Sequence, residues 1–197
     1  MNNSKQKSQK PPSISREVSV REISAGLVVF RRTEDGPKFL LLYHGGRYWN
    51  FAKGKIEAEE KSMEAAMRET EEETGLRPAD LKLKRKFKAY ERYRFFRNKR
   101  RIFKIVIFYL AETKVRQIKL SKEHEGFGWF LYRDARSLLR SYKDSETVLR
   151  QAYVFLQKRF HLFQRPGINN IIFSRPAPSC LRRPQLQEIE MVNMMRV

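Results

Sequence analysis

Glu69, Glu72 and Glu73 stand three and four positions apart, the spacing that brings side chains to one face of a helix. Carboxylates so placed repel one another and cost stability unless a cation lies among them. An oxygen-only donor set suits a hard divalent ion, Mg²⁺ or Mn²⁺, which takes carboxylates while keeping water and phosphate oxygens in its other positions. Arg68 falls four residues after Glu64 and four before Glu72, placed to orient a carboxylate through a charge-assisted hydrogen bond. Taken alone, the run from Met63 to Glu73 also reads as an ordinary acidic helix face in water, and that is the commoner origin of such a composition.

These residues need a helix to carry them, and the local chemistry predicts one over 62–74. Ser62 is suited to cap it, Glu64 sits in the positive first turn, and Gly75 follows the last turn as a C′ glycine. Around it, Ile23 to Phe30 is a small-residue and β-branched run typical of a buried strand. Glu34-Asp35-Gly36-Pro37 is a turn and Lys38 to Tyr43 a second strand, a hairpin with a longer loop. His44-Gly45-Gly46-Arg47 then breaks the pattern. Leu81 to Phe96 and Arg101 to Leu110 read as two long strands meeting at Arg97-Asn98-Lys99-Arg100. Phe127 to Leu131 is a short strand and Asp134 to Arg140 a short helix. Asp144 to Phe160 is a longer helix with Val148, Ala152, Phe155 and Leu156 at three-to-four spacing. The order predicts an α/β chain, a mixed sheet with helices packed on its faces.

The chain has 197 residues, 41% of them apolar and 12% aromatic, enough for one domain with a core. That domain is expected over 21–160. Residues 1–20 and 161–197 read as basic, poorly ordered tails, although Ile171-Ile172-Phe173 could dock. Lys and Arg number 42 against 22 Asp and Glu, a net charge of +20, which predicts affinity for polyanions and says nothing about fold. The single cysteine, Cys180, leaves no intrachain disulfide and fits a reducing compartment. Met1 to Arg21 lacks the apolar core of a signal peptide, and no apolar run reaches the roughly 18 residues of a membrane span. A soluble, cytoplasmic protein is expected; its oligomeric state stays open.

Spacing decides between the two readings of the acidic helix. Gly54, five residues, Glu60, seven residues, Arg68-Glu69-Thr70, one residue, Glu72-Glu73, one residue, Gly75-Leu76 resembles the Nudix box over its full 23-residue length. The segment matches seven fixed identities. At roughly one chance in fifteen each, coincidence is on the order of 10⁻⁸ per window. Thr70 departs mildly, standing where the family more often has a bulky aliphatic.

The resemblance implies a Nudix-type α/β/α sandwich with a mixed sheet and the box as a loop–helix–loop. It implies hydrolysis of a nucleoside diphosphate linked to another group, with a divalent ion offsetting phosphate charge and an activated water attacking phosphorus in line. Glu69 and Glu73 would bind metal, Glu72 would bind metal or help activate water, and the backbone near Lys53 and Gly54 would add a ligand. Glu69, Glu72 and Arg68 are thus its catalytic candidates. Glu60 would support the loop, as Gly54, Gly75 and Leu76 support the box. Which glutamate is the base is left open.

Outside the box, the chain is similar to the bis(5′-nucleosyl)-tetraphosphatase branch. Trp49-Asn50-Phe51-Ala52-Lys53-Gly54-Lys55 resembles that branch's approach to the box, with Ala52 where proline is usual. Lys104 to Glu112 resembles its strand beginning with a phosphate-facing lysine. Glu123-His124-Glu125-Gly126-Phe127-Gly128-Trp129 resembles a segment whose glutamate, here Glu123, adds a metal contact. The likeness spans 23 to about 157 and implies diadenosine tetraphosphate cleaved to ATP and AMP. Lys53, Lys55, Lys104 and Tyr93 would bind substrate. Tyr93 is drawn from Tyr90, Tyr93, Phe95 and Phe96 as the adenine stacker. Alternation puts it with Phe95 and Glu91 on one face, so a core role is equally open. His124 reads as a structural neighbour of Glu123, Trp129 as core, and neither His44 nor His161 has a nameable partner.

One further feature is the charge of Lys82 to Lys104, twelve basic residues against Glu91 alone. It is either a solvated face or a track for an RNA backbone with aromatics interleaved to stack bases. The second would suit removal of pyrophosphate from RNA 5′ ends, with inositol pyrophosphates or polyphosphate as other candidates. A Nudix fold acting as a nucleic-acid-binding module with little catalysis is a third class, opposed by the intact Glu69, Glu72 and Glu73.

Overall fold

The computed structural model of the chain describes residues 20–163, with side chains through 158. The readings for residues 1–19 and 164–197, including Ile171-Ile172-Phe173 and Cys180, and for the His161 side chain fall outside the described residues.

Eight strands and three helices follow in the order β1 Val20–Thr33, β2 Gly36–Tyr43, β3 Trp49–Asn50, β4 Ala52–Lys55, α1 Ser62–Thr74, β5 Lys82–Leu83, β6 Ala89–Arg97, β7 Arg100–Glu112, β8 Gly126–Leu131, α2 Tyr132–Leu139 and α3 Lys143–Phe163. β1 is central. Ser24 to Phe30 are all buried, as the small and β-branched run requires of a strand covered on both faces. It pairs in parallel with β7 from Val20↔Ile102 to Phe30↔Glu112, and antiparallel with β2 and β4 along its other edge. β8 and β3 extend the sheet beyond β2, while β6 and β5 both pair with β7.

Alternation along β1 and β2 sorts the core into two layers. Val28, Phe30, Phe39 and Leu41 pack with Phe108, Leu110 and the α2–α3 residues Ala135, Leu139, Val148, Ala152 and Leu156. Leu27, Val29, Leu40 and Leu42 pack with Ala65 and Ala66 of α1 and with Leu76. The result is a mixed sheet between α1 on one face and α2 with α3 on the other, the expected sandwich.

Four local expectations change. The β1–β2 hairpin is tight: Thr33 pairs with Gly36, so only Glu34 and Asp35 lie between the strands, and Gly36 takes φ 118° to close the turn. Leu81 to Phe96 is not one strand. Lys84-Arg85-Lys86 cannot alternate between core and water, so the chain turns there, Phe87 N–H donating to the Lys84 carbonyl with Phe87 buried beneath. α2 begins at Tyr132, ahead of Asp134. Ser62 does not cap α1. Lys61 occupies the N-cap, its N–H donates to Glu64 Oε2 at 3.0 Å, and Ser62 Oγ instead meets the Tyr109 hydroxyl at 2.7 Å. No helix among the described residues is long and apolar enough to cross a membrane.

Candidate active site

The site forms where the β4–α1 loop lies against α1. Gly54 has no room for a side chain: a Cβ there would sit within 2.0 Å of both Glu69 carboxylate oxygens. Glycine thus lets the Glu69 carboxylate rest on the loop backbone. Beside it, Glu73 is buried and its Oε2 accepts the Lys53 N–H at 3.0 Å. The end of the helix is fixed by Gly75, at φ 69°, whose N–H donates to the Glu71 carbonyl, while Leu76 anchors in the core. Thr70 is fully buried and its hydroxyl donates to the Ala66 carbonyl at 2.7 Å, so the off-pattern residue leaves no polar group unpaired.

Arg68 binds the box together. Its Nε and Nη2 fork onto the two Glu60 oxygens at 2.9 and 3.0 Å, Nη2 also reaches the Lys55 carbonyl, and Nη1 donates to Glu69 at 2.9 Å and Glu72 at 3.2 Å. Glu64, its other sequence neighbour, turns to Lys61 instead. Glu60 also accepts the Glu57 N–H, and the Arg68 fork holds its carboxyl below the usual range. Glu60 thus ties the loop to Arg68 of α1.

The electrostatics are those of carboxylates short of positive charge. Burial pushes the Glu73 carboxyl up to about 7, against the Lys53 ammonium and N–H, with Glu69 and Glu123 adding to the rise. Burial also raises Glu69, opposed by Arg68 and reinforced by Glu72 and Glu60. Among the described residues no three acidic or imidazole side chains close into a ready metal cage. Glu69 is turned to Arg68 and Glu73 to the Lys53 N–H, while the Glu72 side chain is 59% exposed. The donor set fits a hard cation that fills its remaining positions with water and phosphate oxygens.

The loop before β8 seats on the C-terminal end of α1, where Lys119 and Ser121 N–H groups donate to the Thr74 and Glu73 carbonyls. This brings exposed Glu123 close enough to raise Glu73. His124 is buried, its Nδ1 3.0 Å from Ser121 Oγ and its Nε2 3.7 Å from Glu73 Oε1. Its partner is His44, ring centroids 4.4 Å apart, a pairing with no local sequence signal because eighty positions separate them. Burial lowers both imidazoles, His44 to about 4. Trp129 is partly buried, packs against the α1-side core and donates to the Arg116 carbonyl.

Toward the α3 face lie the expected substrate residues. Lys53 is partly exposed, its ammonium 6.0 Å from the Tyr48 ring centroid. Lys104 is lowered first by burial and then by the charge of Lys53. Tyr93 pairs with Lys104 across β6 and β7, half-buried against the α3-side core with its ring 6.0 Å from Phe95. Burial and Glu91 raise its hydroxyl. Lys55 is apart from this group: its side chain is exposed and only its carbonyl joins the site. Glu91, not singled out from the sequence, proves central. It is 2% exposed, next to Lys53, Lys104 and Ser145, with Oε1 lacking a hydrogen-bond partner among the described residues.

Against known proteins, the NUDIX domain family matches residues 20–152. A Sus scrofa bis(5′-nucleosyl)-tetraphosphatase [asymmetrical] is 32% identical over 143 residues, 68% of this chain and 94% of the relative. A Caenorhabditis elegans protein of the same description is 29% identical over 136 residues, 68% of this chain and 95% of the relative. The crystal structure of a C. elegans Ap4A hydrolase binary complex superposes with a TM-score of 0.60 at 27% identity, covering 70% of this chain and 98% of that one.

Proposed function

Because this chain belongs to the Nudix family of phosphoanhydride hydrolases, we propose that its substrate is a dinucleoside polyphosphate, foremost diadenosine tetraphosphate cleaved to ATP and AMP. The observation that carries this reading is the register of β6 and β7, which sets Lys104 opposite Tyr93 on one face, with Lys53, whose N–H binds the box carboxylate Glu73, acting electrostatically on Lys104. Two cations that sense each other's charge suit a polyphosphate bridge, and an aromatic one strand away suits the base at its end. The relatives named for this activity align over most of their length.

The family typically uses a divalent metal, and here Glu69 and Glu73 would hold Mg²⁺ or Mn²⁺, with Glu72, Glu123 and the Gly54 carbonyl as further donors. When bound, the ion offsets the negative charge that builds on the phosphate oxygens. Arg68 holds Glu69 and Glu72 in place through its fork on Glu60. Lys53 and Lys104 bind and orient the phosphate chain, and Tyr93 stacks an adenine. Glu69 or Glu72 takes the proton of the attacking water. Lys55 is retained only as an outer phosphate contact.

The test is a substrate panel with Mg²⁺, products resolved by anion exchange: diadenosine tetraphosphate, dNTPs, triphosphorylated RNA and a diphosphoinositol phosphate. ATP plus AMP released fastest is the expected result; fastest turnover of a dNTP or inositol substrate overturns it. The basic segment 82–104 favours a second reading, removal of pyrophosphate from RNA 5′ ends, which the RNA arm of the panel decides.

A further inference from the structure

The β6–β7 hairpin has two chemically different faces. Glu91, Tyr93 and Lys104 point to the α3 side and belong to the cleft. Tyr90, Arg92, Arg94 and Phe96 alternate with them and point to the α1 side. On that side the register builds a three-strand shelf from β6, β7 and β1. Its rows are Tyr90–Ile107–Ala25, Arg92–Ile105–Ile23 and Arg94–Phe103–Arg21. α1 packs on β1 and β4 and leaves the β6 end of the shelf uncovered, so Tyr90, Phe96 and Ile23 are 41%, 67% and 46% exposed.

The charges on this shelf are uncompensated. Glu91, the one acid between Lys82 and Lys104, is buried on the opposite face, and neither Arg92 nor Arg94 has an ion-pair partner among the described residues. Arg92 lies over the Tyr90 ring at 5.1 Å and Arg94 over Phe103 at 5.7 Å. β6 is also an edge strand, and basic residues on an edge protect against sheet-to-sheet association. That accounts for the arginines but not for Phe96: an exposed aromatic at an edge works against such protection. Two arginines about 7 Å apart along a strand, flanked by the exposed Phe96 on one side and by Tyr90, with Arg92 and Lys88 against its ring, on the other, match a charged backbone whose bases stack.

We propose that the α1-side face of the β6–β7 hairpin, with Arg92 and Arg94 flanked by Tyr90 and Phe96, is a docking surface for single-stranded RNA, separate from the hydrolytic cleft. Arg92 and Arg94 contact phosphates, and Tyr90 and Phe96 take bases. The surface lies on the opposite face of the hairpin from Lys104 and Tyr93; the helix that carries the box shares its side of the sheet but packs on β1 and β4, away from the β6 edge.

The test is fluorescence anisotropy of the full chain with a labelled oligouridylate bearing a 5′ hydroxyl, which offers no pyrophosphate to the active site. Arg92→Gln with Arg94→Gln is expected to weaken binding at least tenfold near 0.1 M KCl. The slope of log affinity against log salt should fall by about 1.4, for two phosphate contacts on a single strand. Tyr90→Ala with Phe96→Ala should weaken binding about tenfold and leave the slope unchanged. Circular dichroism confirms the fold of each, and the aromatic pair keeps the test alive should the arginine pair not fold. Three results overturn the proposal: unchanged affinity in both variants, an equal loss on removing two charges from α3 (Arg150→Gln with Lys158→Gln), or anionic phospholipid vesicles bound as tightly as RNA with the same dependence on the shelf.

Discussion

In the proposed metal site Glu73 would carry two obligations that pull against each other: its burial and ionisation for a cation. Its carboxyl is raised to about 7, so the metal-free folded protein binds its proton more tightly than the unfolded chain does. The contribution to stability is therefore complete below the ordinary carboxylate range and is lost as pH rises through about 7. Metal-free protein should show a thermal midpoint that falls from pH 5 to about pH 7 and levels off above it, and Glu73→Gln should flatten that slope. Saturating Mg²⁺ should reverse the trend in the parent chain, because the ion requires the ionised form. In turnover, Glu73→Gln should cost on the order of a hundredfold or more while the fold survives, since even groups behind a ligand contribute that much. Full activity with metal still required would remove Glu73 from the ligand set. At this scale the box was legible because its residues are local: one loop and one helix hold Gly54, Glu60, Arg68, Glu69 and Glu73, and spacing alone puts them together. Glu91 and His44 were not, because only the pairing of β6 with β7 and the seating of the 119–124 loop on α1 bring them to the cleft.

Elements were legible wherever one local rule governs and misread where tertiary contact overrode it. Helix α1 has the expected bounds, but the hydroxyl expected to cap it ties it to β7 through Tyr109. A double-mutant cycle separates the two roles. Ser62→Ala and Tyr109→Phe should each cost about 0.5–1.5 kcal/mol in urea unfolding, and the double variant little more than either alone. Additive losses would return Ser62 to a capping role. The β6–β7 turn offers the opposite case. Asn98 and Lys99 both adopt the left-handed backbone, φ 51° and 61°, which a two-residue hairpin loop demands and for which Asn-Gly is the favoured pair. The sequence placed the turn correctly yet put a lysine at its second position. Relief of left-handed strain of about 1–2 kcal/mol exceeds the added chain entropy of glycine, so Lys99→Gly should stabilise by roughly 0.5–1 kcal/mol. A lower midpoint in that variant would mean that Lys99 makes a compensating contact.

Over the whole molecule, the charge was countable from the sequence but its direction was not. Twelve of the 42 basic residues lie between Lys82 and Lys104, and counting cannot say that strand pairing sends Lys104 into the cleft while Arg92 and Arg94 face away. The division matters because the two groups answer differently to salt. A net charge of +20 raises the local concentration of any anionic substrate, an effect screened within about 10 Å at 0.1 M ionic strength. Lys53 and Lys104 are partly withdrawn from water and are screened far less. For diadenosine tetraphosphate, raising KCl from about 20 to 200 mM should therefore increase KM several-fold and leave kcat nearly constant. Measured at fixed free Mg²⁺, that split assigns the global charge to capture and the two partly buried lysines to orienting the bound phosphate chain. A parallel fall in kcat would instead place the decisive cations on the exposed surface, and would move the hairpin from a neighbouring feature into the catalytic machinery.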